Sequence, residues 1–350
     1  MKQCKRLMTA LVMFSCWPAQ SVWAASPIKY SSFKDHDQGK AVRVHVVEVD
    51  LNDSRVDIDL AMANGKSSML EPVSKMASRN QAVAAINASF FHGTTVDAPV
   101  GLVIKKGEII SDSGHRRTSL GITRDHRYMM GIPKIETGLD MPQEKRFQTI
   151  NGVNQARKYH QTIVYTPRFG DYTHTNQYGR EVVVRKDRVV RYSYGNTKIP
   201  TDGYVISAHG KTKNIQSLYP LGTPIKLTAK ADSPWDQAET IITGAPHLVK
   251  QGRIHNTFFE EKLNNSLKRP NSRSAIGLTH NKKLLMMNVF PEKGTSGGVT
   301  LTRLAQIMQR IGAYEAMALD GGGSTSLYVS EKGLTHAKRP VTNALIVKMK

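Results

Sequence analysis

The chain has 350 residues, 39% hydrophobic and 22% charged, proportions that exclude an extended disordered polymer and suit a folded globular protein. Its 49 Lys and Arg against 28 Asp and Glu give a formal net charge of +21, a field that attracts polyanions such as anionic head groups or phosphate-bearing envelope polymers. Both cysteines, Cys4 and Cys16, lie near the start, so the remainder holds no disulfide, thiolate nucleophile or Cys-ligated zinc.

The first residues read as an export signal. Lys2, Lys5 and Arg6 precede an apolar stretch at 7–17 that is too short to span a bilayer, and Val22-Trp23-Ala24 sets small residues where a signal peptidase reads. A cleaved signal peptide over 1–24 is expected, and with it a periplasmic or secreted protein. The alternatives are an uncleaved anchor and a lipoprotein at Cys16, the latter opposed by bulky Phe14. This segment carries three cations and no carboxylate, which leaves +18 on the rest. Those charges are dispersed, as in Lys105-Lys106, Arg116-Arg117, Lys282-Lys283 and Lys348, without an arginine-rich block. Nucleic acid is therefore not an expected partner, whereas peripheral contact with an anionic envelope is.

Residues 25–40 are polar and expected to be a flexible lead-in to one domain over 41–350. Apolar and polar residues then alternate in Val42-Arg43-Val44-His45-Val46 and Val56-Asp57-Ile58-Asp59-Leu60, predicting two half-buried strands joined by an Asn52-Asp53-Ser54 turn. Ser68 and Glu71 have capping-box spacing and Pro72 suits a first turn, so a short helix follows, ending near Arg79. Residues 82–86 read as a buried strand, and further strands are predicted at 101–104, 119–122, 162–165, 181–185, 188–192, 203–207, 223–229, 275–279 and 284–289. Leu301, Leu304, Ala305, Met308 and Ile311 mark a late helix, with Thr300 as N-cap and Gly312 as its stop. Strands and helices do not alternate, which excludes a doubly wound parallel sheet. The expected fold is α+β, β-rich, of mixed, mostly antiparallel strands with a few short helices.

Four polar segments sit at strand ends. Leu319-Asp320-Gly321-Gly322-Gly323-Ser324 delivers a carboxylate from an apolar strand and follows it with three glycines. Such a run loses much backbone entropy on folding, as positive φ angles or a ligand against bare backbone would require, and its N–H groups suit phosphate oxygens; a plain hairpin tip is the alternative. The run lacks the ending of a P-loop and the pattern of a nucleophile elbow. Asn87 follows a buried strand and offers donors and an acceptor for sugar hydroxyls, or else is a turn residue with Phe90 and Phe91 in the core. His92 has no second His at ligand spacing, so no metal site is expected. Arg273 stands before a strand, where its fork suits a phosphate unless it is a surface arginine. Arg339 and Asn343 precede the final apolar run.

Taken in this order, the segments resemble the catalytic domain of phosphodiester glycosidases. The likeness rests on Ala85-Ile86-Asn87 followed by Phe90, on Pro99-Val100-Gly101-Leu102, on Asn151-Gly152-Val153-Asn154, and on Tyr165 to Gly170 continued by Glu181-Val182-Val183-Val184. It continues through Gly244-Ala245-Pro246-His247-Leu248-Val249 with Gly252, Arg273 before Ala275-Ile276-Gly277, the Asp-Gly-Gly-Gly-Ser run, and Arg339-Pro340-Val341-Thr342-Asn343-Ala344. The resemblance implies Asp320 and Arg273 as catalytic residues, and Asn87, Gly321, Gly322, Gly323, Ser324 and Asn343 as substrate-binding residues, with no cofactor or metal. Ala88-Ser89 stands where the family has a Gly-rich pair and Ser274 where Thr is common, departures that suggest altered substrate fit, and Ala245 stands where Gly is common.

The implied reaction is hydrolysis of the glycosidic C–O bond of a sugar-1-phosphodiester in an envelope or extracellular glycan. It passes through an oxocarbenium-like state, and its phosphate-ester leaving group is a weak base, so one carboxylate suffices. Asp320 would act as nucleophile or as base for water. Arg273 and the glycine-loop N–H groups would hold the departing phosphate, and Asn87 and Asn343 the sugar hydroxyls. Two other readings stay open: a non-catalytic binding protein for anionic envelope polymers, and a metal-independent phosphodiesterase that breaks P–O.

Overall fold

The computed structural model describes residues 26–91, 93, 96–212, 214–294, 297–335 and 339–350; the expected signal peptide and His92 lie outside the described residues. The fold is built mostly of antiparallel strands, with helices at Val73–Arg79, Ile215–Leu218 and Leu301–Arg310 and a few 3₁₀ turns.

The expected flexible lead-in is a strand instead. Ile28–Asp37 pairs along its whole length with Lys40–Asp50, from Ile28 opposite Val49 to Asp37 opposite Lys40. Gln38 and Gly39, both at positive φ, make the two-residue turn between them. The polar composition that suggested flexibility belongs to an edge strand. Ile28, Tyr30 and Phe33 are the half-covered apolar residues, and Lys29, Ser31, Ser32 and Lys34 meet water.

Seven strands form the first sheet, in the order Ile28–Asp37, Lys40–Asp50, Lys283–Pro291, Arg273–Thr279, Ala313–Ala318, His247–Lys250, Arg253–Ile254. A second sheet of five runs Gly333–Thr335, Leu327–Val329, Ala84–Asn87, Asn343–Met349, Val56–Met62. The two alternating segments before residue 62 therefore part company, one strand joining each sheet. A ten-stranded sheet carries the middle of the chain and packs on a three-stranded one. Its strand Gly152–Val153 pairs in parallel with Thr162–Tyr165, while the other pairings between the described strands are antiparallel.

The main core fills the space between the first two sheets and one end of the third. Val47, Ile276, Met286 and Met317 come from the first sheet, Ile58, Ile86, Leu327 and Leu345 from the second, and Val103, Leu120 and Ile242 from the third. Each such side chain contributes roughly 1.5–3 kcal/mol by leaving water. The outer face of the seven-stranded sheet is covered by Leu301–Arg310, and that of the five-stranded sheet by Val73–Arg79. Thr300 caps the late helix by accepting from the Arg303 N–H, and Gly312 ends it at φ +92. The Ser68–Glu71 capping box does not form: the Ser68 hydroxyl donates to the Phe169 carbonyl, while Glu71 binds Arg79 and the Asn64 N–H. The layers are thus helix, sheet, sheet, helix, and the ends of the two inner sheets meet around Asp320.

Candidate active site

Asp320 joins the two inner sheets. One residue earlier, the Leu319 N–H donates to the Ser274 carbonyl in the first sheet, and the Asp320 N–H donates to the Ala88 carbonyl beside the second. The chain then turns through Gly321, Gly322 and Gly323. A Cβ on Gly321 would stand 2.8 Å from the Ser272 carbonyl oxygen, and Gly322 takes φ +60, so bulk and chirality both call for glycine here. The N–H groups expected for phosphate already have acceptors at three positions: Gly321 on Asp320 Oδ1, Gly322 on the Ser272 carbonyl and Ser324 on the Gly321 carbonyl. These three N–H groups are thus satisfied within the protein and do not form an open anion cradle.

Asn87 and Asn343 are at the site, in a different role from the one expected. Both side chains are fully buried. Asn87 Nδ2 donates to the Asp320 carbonyl at 2.7 Å, and its Oδ1 accepts from the Ser274 hydroxyl at 2.6 Å and the Ser326 N–H at 3.0 Å. A carbonyl on one side and an N–H on the other fix the amide's orientation. Asn343 Oδ1 accepts from the Ser89 N–H at 2.9 Å, and Nδ2 faces the Ser89 hydroxyl at 3.3 Å. These amides position the backbone of the site and are not presented to a sugar. Ser274 and Ser89, two of the departures noted in the sequence, supply the hydroxyls this network uses.

Arg273 also departs from expectation. It is 3% exposed, and its guanidinium donates to three backbone carbonyls: Leu267 at 2.6 Å, Arg269 at 2.7 Å and Val299 at 3.3 Å. Burial lowers its pKa to about 10, with the Asp320 charge opposing the fall, so it stays cationic at neutral pH. It is an internal cation near Asp320, held to the protein through Nε and Nη2.

The residue that sequence reasoning passed over is Arg339. Its Nη2 lies 3.2 Å from Asp320 Oδ2, Nε donates to Ser324 Oγ at 2.8 Å, and its N–H donates to the Gly323 carbonyl. The guanidinium carbon sits 4.8 Å from the centre of the Phe91 ring, a cation–π contact that holds the fork flat. Half of its side chain is exposed, so it reaches both Asp320 and solvent. The sequence signal was present in Arg339-Pro340-Val341-Thr342-Asn343, but only the fold shows which of the two arginines faces outward.

Asp320 is 7% exposed, and burial is the largest influence on it, raising its pKa above the ordinary carboxylate value. A hydrogen bond from Ser324, the Arg339 charge and the Gly321 N–H act against that rise without cancelling it. A desolvated carboxyl at the end of a rigid strand, flanked by one half-exposed arginine, is suited to attack a nearby carbon or to take a proton from water.

Residues 170–348 match the profile of the phosphodiester glycosidase family, a span that holds Arg273, the glycine loop, Arg339 and Asn343. No curated protein matches the chain. Among solved structures, a hypothetical protein from Synechocystis superposes with a TM-score of 0.82 at 23% identity, over 93% of this chain and 62% of that one. The chain therefore spans less than two thirds of that relative's length. A candidate exported protein from Burkholderia pseudomallei gives 0.72 at 20% identity, over 89% of this chain and 74% of that one. The catalytic domain of zebrafish N-acetylglucosamine-1-phosphodiester alpha-N-acetylglucosaminidase, auto-inhibited by its pro-peptide, gives 0.53 at 14% identity, over 94% and 85%. These three are likenesses of fold.

Proposed function

The chain belongs to the phosphodiester glycosidase family, and from that premise we propose that it is an exported hydrolase cleaving the glycosidic C–O bond of a sugar-1-phosphodiester in an envelope or extracellular glycan. The observation that carries this reading is the pair formed by buried Asp320 and half-exposed Arg339. In the reaction the bond from the anomeric carbon to the phosphate oxygen breaks, and its electron pair leaves on the phosphate. Arg339 meets the developing charge there, in the place first given to Arg273. Asp320 either adds to the anomeric carbon or takes the proton of the water that does. The departing phosphate monoester is a weak base, which fits a site whose chemistry centres on a single carboxylate. Arg339 also opposes the rise in the Asp320 pKa and so favours its carboxylate form. The +18 outside the signal segment would draw anionic glycans toward the site.

The test is sugar release from a panel of sugar-1-phosphodiesters in oxygen-18 water, by the protein and by Asp320→Asn. Free sugar carrying the label, absent with the variant, is the expected result. Label in the phosphate would establish P–O cleavage instead. Salt-sensitive binding of the panel without turnover would establish a binding protein.

A further inference from the structure

The wall that holds Arg273 has a second face. Leu267, Arg269 and Val299 turn their carbonyls toward that guanidinium, while their chain neighbours Lys268 and Thr300 line a groove of about 450 Å³. Phe258, Phe259, Asn256 and Gln38 are among its other lining residues. Phe259 is 75% exposed, and Lys268 Nζ stands 4.3 Å from the centre of its ring and 5.1 Å from that of Phe258. The exposed Phe259 ring and the Lys268 ammonium thus form one platform, with the buried Phe258 ring edge-on to Phe259. An exposed aromatic offers its face to the C–H face of a sugar ring, and the amides of Asn256 and Gln38 and the Lys268 ammonium suit its hydroxyls.

The groove lies on one definite side of the glycine loop. A Cβ on Gly323 would point at the Arg339 side chain, 3.6 Å from Cδ, whereas one on Gly322 would stand 3.2 Å from Asn271 Nδ2. Asn271 is exposed and exchanges both backbone hydrogen bonds with Val299, the residue before Thr300. The loop therefore runs between two walls, with Arg339 on one and Asn271 leading to the groove on the other. One side-chain contact, one strand spacing and one residue step place the near edge of the groove roughly 10–15 Å from Gly322, within reach of a short oligosaccharide.

We propose that this groove is a subsite for additional sugar residues, on the side of the scissile sugar away from the phosphate. The substrate is then a glycan chain rather than a single capping sugar. This rests on the hydrolase reading above and on Arg339 holding the phosphate. The test compares N-acetylglucosamine 1-(methyl phosphate) with its β-1,4-linked tetrasaccharide homologue, and the same pairs in the glucose and mannose series. The expected result is kcat/KM about tenfold or more higher for a tetrasaccharide, a preference that Phe259→Ala and Lys268→Ala remove while leaving the monosaccharide within about twofold. Both side chains are exposed, so neither variant threatens the fold. Equal kcat/KM for both lengths, or variants that lower both alike, would overturn the proposal. Calorimetric titration of the tetrasaccharides into Asp320→Asn, with and without Phe259→Ala, separates the groove from the chemistry. About tenfold weaker binding with Phe259→Ala supports the groove even where no sugar is released, so a failed hydrolase reading is a distinct result. Absent binding, or affinity unchanged by Phe259→Ala, sinks the subsite.

Discussion

Asn87 Nδ2 donates to the Asp320 carbonyl oxygen at 2.7 Å, so a residue ending one sheet fixes the peptide that follows a strand of the other. Removing that amide leaves the Asp320 carbonyl, the Ser274 hydroxyl and the Ser326 N–H without their partner. Asn87→Ala is expected to cost about 2–3 kcal/mol, read by denaturant unfolding. It should lower kcat while KM moves less than about twofold, because the residue orients Asp320 and is not exposed to a sugar. A KM rise with unchanged kcat would instead make Asn87 a sugar ligand.

The raised pKa of Asp320 sets the acid limb of activity. Attack or proton abstraction needs the carboxylate, so kcat/KM should rise with pH through a midpoint above the ordinary Asp value. The Arg339 charge favours the carboxylate, and its removal takes the midpoint further up. A pH–rate profile of Arg339→Gln checks this on its residual activity; a midpoint that moves down contradicts the arrangement.

The same burial makes Asp320 a cost to the fold. A carboxyl whose pKa is higher folded than unfolded favours the native state fully below the unfolded value, and that contribution is lost as pH rises through the folded value. Asp320→Asn should therefore raise the melting temperature near neutral pH, with the gain vanishing toward pH 3–4, as it lowers turnover by about a thousandfold or more. Thermal scans across pH read the first effect and sugar release the second.

Two arginines near one carboxylate should fail in opposite ways. Arg339→Ala is expected to lower kcat/KM by about a hundredfold or more with little change in stability, since the side chain is half solvated. Arg273→Ala removes three buried hydrogen bonds and should destabilise by about 3 kcal/mol. Unfolding curves and kinetics on both variants decide the assignment.

Much of this was readable before any coordinates. Period-two alternation marks Lys40–Asp50 and Val56–Met62, runs between turn residues mark ten further strands, and the Asp320 loop, Asn87, Arg273 and Asn343 do converge. Their roles were not readable, because a polar residue at the end of an apolar run looks the same whether it faces a substrate or a neighbouring backbone. Only the packing of Leu267, Arg269 and Val299 reveals that Arg273 is enclosed. The edge strand Ile28–Asp37 was lost for a related reason: with one face on water, its composition is that of a loop. Ala245 explains another departure. It sits at φ +153, a conformation that favours the glycine common in the family at that place.

The strand Asn343–Met349 is inserted between Ala84–Asn87 and Val56–Met62 rather than added at an edge. The five-stranded sheet keeps an empty central position until that stretch has been synthesised, and Arg339 and Asn343 arrive with it. A nascent chain holds Asp320 before it holds an active site. The candidate site is thus completed by the closing of this sheet, a long-range pairing of the kind that forms slowly.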